Sequence, residues 1–344
     1  MKKLVTIGTS TALNQLENTL TNLGSGIYDL HSIKLKSNDN KIIDIIDLYK
    51  INNADAVIIF GTWGSNDINR IWSPKGTKDC PTAEDGNQRR QAWLELLNSF
   101  VVNYCKSINK KVIVIETATL SRIRIIKDNK KHWKDVSPFY YRMALNHWTY
   151  GIGTFCKPKG SDRLDEFYKY NFLALKDIKP VIDNFTWRNN KQGKILLCPG
   201  LENDPTSTKP VDDFVKDTIE ELKQYTKREI LVKPHPLSRF NFKDYNVLSK
   251  ETTIKDISSE IYCAVIDNST SIFELIHLGI PCFTSQYNFG YNLKNIDIKN
   301  IEDPYYATPE EVKSWYEEMS YTEFSFNEFS NQSIFKYIDE LLEL

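Results

Sequence analysis

Two short segments carry the residue types best suited to holding phosphate. Glu229-Ile-Leu-Val-Lys-Pro-His-Pro236 runs from an apolar stretch into a turn in which two prolines flank His235. Further along, Val265-Ile-Asp-Asn-Ser-Thr-Ser-Ile-Phe-Glu274-Leu-Ile-His-Leu-Gly-Ile-Pro281 passes from an apolar stretch through hydroxyl residues into a helical pattern. A strand that empties into a loop feeding a helix leaves backbone N–H groups facing an anion. The prolines fix the backbone around His235, because each locks its own φ and restricts the residue before it. A rigid imidazole there can donate to a phosphate, and Lys233 can add positive charge or merely flank the strand. Asn268, Ser269, Thr270 and Ser271 can bind phosphate oxygens or simply cap the helix. Glu274, on the first turn, can accept from a ribose diol or only complement the helix dipole. Together the two segments point to a phosphorylated nucleotide.

The elements that must position these residues follow from the apolar spacing. Lys194–Cys198, Glu229–Val232, Ile261–Asp267 and Pro281–Ser285 are expected strands, and Val211–Tyr225 and Ile272–Leu278 expected helices. In the first half Leu4–Gly8, Ala56–Phe60 and Val112–Glu116 read as strands, and Thr11–Leu23 and Gln88–Ser107 as helices. Alternating strands and helices imply parallel sheets. Residues 121–187 are less regular and aromatic-rich, and 187–194 reads as a linker. The division expected is an N-terminal α/β domain over 1–187, a nucleotide-binding α/β domain over 188–308 and a helical segment over 309–344.

The ordered combination of Lys-Pro-His-Pro after one strand, Asp-Asn-Ser-Thr-Ser before a helix carrying Glu274, and Gly279-Ile-Pro281 before another strand resembles the C-terminal domain of GT-B glycosyltransferases. It resembles above all the capsule-polysaccharide enzymes that transfer Kdo from CMP-Kdo. The His-Pro pair is also similar to that of GT-B sialyltransferases, and teichoic-acid polymerases that use CDP-glycerol look similar over the same stretch. The resemblance covers 194–285. It implies a GT-B-like fold of two Rossmann-like parallel-sheet domains facing a cleft, with a nucleotide-sugar, CMP- or UDP-linked, as donor. By the same resemblance His235, supported by Lys233 and sharing the task with Ser269, Thr270 and Ser271, would meet the donor phosphate. Glu274 would meet the ribose, and Gly200 with Glu202 and Asn203 would form the first loop of the cleft. Enzymes that use CMP donors usually need no metal, so none is expected as obligatory.

The first half is expected to supply the acceptor site. Gly61-Thr-Trp63-Gly64-Ser65 follows a strand at the edge where open α/β sheets carry function. Trp63, Gly64 and Ser65 can approach a substrate or form a packed turn. Glu116 closes a neighbouring strand and can serve as general base or pair with Arg122 or Arg142. Asp67 and Asp85 are weaker candidates for the base. Arg142, Asn146 and Arg163 lie among aromatics in a mixture that suits sugar or base binding, although Asp162 and Arg163 can equally form an internal ion pair. His147, next to Trp148, reads as a packed histidine.

Composition narrows the classes. In 344 residues, 41% apolar and 26% charged side chains are globular values, and a formal charge of −1 offers no broad basic face for nucleic acid. No apolar run approaches the roughly 20 residues of a membrane span, and the short apolar stretch at Leu4–Gly8 is expected to be a strand rather than a signal peptide. The six cysteines lack CxxC spacing and are expected reduced in a cytoplasmic protein. Acceptors compatible with these readings are a surface glycan or a hydroxymethylated base in DNA, as used by phage-type DNA glycosyltransferases. A nucleotide-sugar 2-epimerase-like enzyme and a nucleotide-binding module are the alternatives outside the transferases.

Overall fold

The structure, a computed structural model, describes residues 1–8, 14–24, 26–34, 45–61, 98–118, 140–169, 182–201, 209–236, 238 and 240–343. Two sheets organise it. In the first half β1 (Lys3–Gly8), β2 (Asp29–Lys34), β3 (Ala56–Phe60) and β4 (Lys111–Thr117) are parallel, and β5 (Tyr140–Leu145) runs antiparallel beside β4. In the second half β6 (Lys194–Cys198), β7 (Ile230–Val232), β8 (Ile261–Ile266) and β9 (Cys282–Thr284) form a wholly parallel sheet in the order β7-β6-β8-β9. The chain is thus a mixed α/β protein with two Rossmann-like, parallel-dominated sheets.

The strands form where short apolar, β-branched runs can be covered on both faces, the condition a parallel sheet requires. In β3 every residue is buried. Ala56, Ile58 and Phe60 pack on the face that carries Leu16 and Leu20 of α1 (Asn14–Gly24). Val57 and Ile59 pack on the opposite face with Ile51 of α2 (Ile45–Asn53) and with Val101 and Cys105 of α3 (98–107). Each such aliphatic side chain contributes about 1.5–3 kcal/mol by leaving water. In the second half Val215, Ile219 and Leu222 of α5 (Val211–Tyr225) cover one face, and Ile272, Phe273, Leu275 and Ile276 of α6 (Ser271–His277) cover the other. Between the halves α4 (Asp162–Lys169) packs against α7 (Pro309–Ser320).

The helices locate the functional edge of each sheet. After β6 the chain builds α5 on one face; after the adjacent β8 it builds α6 on the other. Neighbouring strands whose connections leave to opposite faces open a crevice at their carboxyl ends. The first sheet repeats the pattern, since α1 follows β1 on one face and α3 follows the adjacent β3 on the other. Both halves therefore have the same order over their first four strands and one switch point each, β1/β3 and β6/β8.

The C-terminal stretch, expected as helices alone, also contributes a strand. After α7, β10 (Glu323–Ser325) joins the first sheet antiparallel to β5, and α8 (Phe326–Ser330) and α9 (Phe335–Glu343) complete its core with Phe329, Phe335, Ile338 and Leu341. The return covers the sheet edge that β5 would leave open. Helix α7 begins at a capping box in which Thr308 and Glu311 satisfy each other's backbone N–H groups. Among the described residues no helix is long and apolar enough to cross a membrane.

Candidate functional site

At the second switch point the exit loops start side by side. The Lys233 N–H donates to Leu197 O at 2.9 Å, and the Asp267 N–H to Cys198 O at 3.4 Å, so both loops leave the sheet level with Pro199 and Gly200. Pro199, Gly200 and Asp267 are buried, while Asn268 and Ser269 are half-buried and Thr270 is exposed. Ser269 Oγ accepts from the Ser271 N–H at 3.2 Å, so this hydroxyl caps the entry to α6. Ser271 Oγ is buried beside the Cys198 thiol. Glu274 is exposed on the first turn of α6.

On the β7 side His235 is half-buried at the head of its turn, and the Ser238 N–H donates to His235 O at 2.8 Å. Lys233 is turned away from the loop surface. It is buried, and its ammonium donates to Pro234 O and Lys250 O, each at 3.2 Å. Burial lowers its pKa, as desolvation of a cation must.

One residue of this edge carries no local signal in the sequence. Asn288, 1% exposed, donates through Nδ2 to Asp267 O at 3.0 Å and Ser269 O at 3.2 Å, while its Oδ1 accepts from the Gly290 N–H at 2.9 Å. It ties the loop after β8 to the segment after β9. That segment then meets the first half. The Phe289 ring lies 5.1 Å from the Arg142 guanidinium, which is also 5.5 Å from the Trp148 ring. A Cβ on Gly151 would come within 2.4 Å of Gln286 O, so only glycine permits this backbone approach. Tyr150 Oη donates to Glu318 on α7, and Asn292 Nδ2 donates to the same phenol at 3.1 Å.

In the first half the register aligns three charged residues. Glu116 on β4 pairs with Arg142 on β5, and Arg142 pairs with Glu323 on β10. Residues opposite one another in antiparallel strands share a face, which makes this a charged row across the carboxyl end of β4. Gly61 continues β3 beside it. Its N–H donates to Ile115 O at 2.8 Å, and its φ of 107° is one that glycine alone adopts easily. The switch point of the first sheet thus ends one strand away from Glu116, and Phe289 joins the Arg142 of that row to the loop held by Asn288.

Two candidates are not brought to this row. Asn146, exposed and with φ of 64°, forms the turn at the amino end of β4, where its Oδ1 accepts from the Val112 N–H at 3.1 Å. Arg163 points into the C-terminal return. Its Nε donates to Ser320 O at 3.1 Å, one terminal nitrogen meets Glu328 Oε1 at 2.6 Å, and the other donates to Glu323 O. The guanidinium also lies 4.5 Å from the Phe324 ring. Trp63, Gly64, Ser65, Asp67, Asp85, Glu202 and Asn203 fall outside the described residues.

His147 is stacked on Trp148, with Nδ1 accepting from the Thr149 N–H at 3.0 Å. Burial, reinforced by the nearby Arg142 charge, lowers its pKa to about 4. An unfolded histidine titrates near 6.5, so the unfolded chain takes up the proton first. The associated stability is complete above that value and is lost as pH falls towards 4, on the order of 3 kcal/mol in all. Denaturant unfolding at about pH 7.5 and about pH 4.5 is expected to show a larger acid loss in the native protein than in His147→Gln. Equal losses would contradict the buried, neutral imidazole.

Cys105, Cys156, Cys198, Cys263 and Cys282 are buried and unbridged, and burial raises the Cys198 thiol to about 12. Cys80 falls outside the described residues. Among the described residues no group of three or more His, Cys, Asp or Glu side chains is placed to hold a metal.

No family model and no curated protein matches the chain. Similar solved structures exist at low identity. One is titled Thermosulfurimonas dismutans KpsC, beta Kdo 2,4 transferase, with 11% identity over 95% of this chain and 97% of that one and a TM-score of 0.43. Another is the beta Kdo 2,7 transferase of the same organism's KpsC, with 12% identity over 98% and 99% and a TM-score of 0.45. A third is the S. aureus MnaA-UDP co-structure, with 12% identity over 99% and 98% and a TM-score of 0.28.

Proposed function

We propose that this protein is a glycosyltransferase that takes a sugar from a CMP- or UDP-linked donor to a hydroxyl acceptor. The observation that supports this reading is the link between the two functional edges. The loop after β8 is held by Asn288, its neighbour Phe289 packs on Arg142, and Arg142 stands opposite Glu116. The loop read as the phosphate-binding edge is thereby linked, through Phe289 and Arg142, to the strand end that carries Glu116, which suits transfer from a nucleotide to a hydroxyl.

In this reading His235 donates a hydrogen bond to the donor phosphate and stabilises the departing nucleotide. The side chains of Asn268, Ser269 and Thr270 share that phosphate, Ser271 shapes the loop through its N–H to Ser269 Oγ, Gly200 admits the phosphate close to the backbone, and Glu274 accepts from the ribose diol. Glu116 takes the proton from the acceptor hydroxyl as it attacks the anomeric carbon, and the nucleotide leaves with the bonding electrons. Arg142 orients that carboxylate, and Trp63, Gly64 and Ser65 line the acceptor side. A donor with one phosphate needs no obligatory metal. The net charge of −1 favours a surface glycan over a hydroxymethylated DNA base as acceptor, and the chemistry belongs in the cytoplasm, where nucleotide-sugars are made.

The test follows the donor. CMP- and UDP-linked sugars are incubated with the protein alone, with glycan acceptors and with hydroxymethylated DNA, and the products are read by mass spectrometry. Acceptor-dependent donor consumption with a glycosylated product is expected. Conversion of donor alone into a stereoisomer would replace the transferase by a 2-epimerase-like enzyme. Donor binding without turnover under every condition would reduce the protein to a nucleotide-binding module.

A further inference from the structure

We infer that Lys233 is a positioning residue for His235, with Lys250 as its counterpart, and is not itself a ligand of the donor phosphate; the inference rests on the donor reading above. The prolines at 234 and 236 stiffen this turn but bring no N–H of their own, so its carbonyls need donors from elsewhere. The two lysines supply them. Lys233 Nζ donates to Pro234 O and Lys250 O, each at 3.2 Å. Lys250 Nζ returns to Ser238 O, and the Ser238 N–H donates to His235 O at 2.8 Å. The bonds close a ring around His235 from two chain segments.

The segment that bears Lys250 is itself fixed to β7. The Val232 N–H donates to Asn246 O at 2.8 Å, and the Leu248 N–H returns to Val232 O at 2.9 Å. Lys233 is only 8% exposed, and its ammonium is engaged by one carbonyl of the turn and one of the Lys250 segment. Hydrogen bonds from an ammonium are roughly twice as strong as neutral ones, which suits a clamp on a loop that must not move when ligand arrives. The backbone that carries the imidazole is thereby held before a nucleotide binds, and the ordering cost of binding falls.

The test uses the full chain and the variants Lys233→Met, Lys250→Met and Lys250→Arg. Without ligand, exchange of the Ser238 amide, which donates to His235 O, is expected to quicken about tenfold or more in both methionine variants, as loss of a charged hydrogen bond shifts local opening. Lys250→Arg keeps a donor for Ser238 O and is expected to restore near-native exchange. CMP, UDP and inorganic phosphate titrations over a range of salt then separate positioning from contact. Weaker binding in Lys233→Met with an undiminished salt dependence is expected. A flattened salt dependence would show that the ammonium meets the phosphate and would overturn the inference, as would unaltered exchange in both methionine variants. If the native protein binds none of CMP, UDP and phosphate, the donor reading fails, and the exchange measurement still decides whether the lysines hold the turn. Should Lys233→Met not fold, the Lys250 pair decides it.

Discussion

Replacing Arg163 with methionine is expected to destabilise the protein by about 3–5 kcal/mol, the cost of breaking a buried ion pair by removing one partner. The side chain is buried and joins α4 to Ser320, Glu323 and Glu328 of the C-terminal return. Methionine keeps apolar volume beside Phe324 but donates no hydrogen bond, so the carbonyls of Ser320 and Glu323 each lose a buried donor. Glu328 retains the Ser325 N–H at 2.8 Å and the Ser325 hydroxyl at 3.1 Å, which places the loss towards the lower end of that range. Urea unfolding gives the number, and a double-mutant cycle with Glu328→Gln should return a coupling of about 1–3 kcal/mol. A loss below about 1 kcal/mol would contradict the clamp. A variant of native stability that fails only in acceptor binding would return Arg163 to the acceptor site.

Glu116→Gln is expected to slow transfer by about a hundredfold to ten-thousandfold while leaving donor affinity unchanged. Glutamine keeps the size and a carbonyl oxygen, and so preserves the place opposite Arg142, but it cannot take up the acceptor proton. The position is favourable because Glu116 lies one residue beyond the Ile115–Phe60 pairing, beside Gly61 at the carboxyl edge of the sheet. Single-turnover rates at saturating donor and acceptor measure the effect. A rate within a factor of about three of the native one would remove Glu116 as base. Loss of donor affinity together with rate would instead assign Glu116 to the architecture of the junction.

The second half was legible because its signals are local. Lys194–Cys198 and Val211–Tyr225 have the boundaries that the apolar spacing and the flanking Pro-Gly predict, and the remaining strands lie within a residue or two. In the first half β5 was read as irregular. All six of its residues are buried, so it shows no alternation, and Arg142 sits in its middle. β2 and α2 lack a strong apolar period, and β10 owes its three residues to pairing with a strand far back in the chain. The candidate site divides in the same way. Residue types at the strand ends were visible, whereas the direction of a side chain was not. Lys233 looks like a phosphate ligand until Lys250 O is placed at its ammonium, and Arg163 looks available until the C-terminal return closes on it. Asn288 escaped notice because its importance lies in bonds to carbonyls 19 and 21 positions earlier.

The claim on which these readings depend is that the β6/β8 edge, with His235 beside it, holds a nucleotide. Calorimetric titration of the native protein and of His235→Ala with CMP, UDP and CDP, without and with Mg²⁺, tests it most directly. Saturable binding of one nucleotide is expected, weakened about tenfold to a hundredfold in His235→Ala, as loss of a charge-assisted hydrogen bond would give. CMP preference would point to a sugar acid or similar donor, and UDP preference to hexose or pentose transfer. Unchanged affinity in His235→Ala, or no binding of any of the three, would contradict the account at its centre.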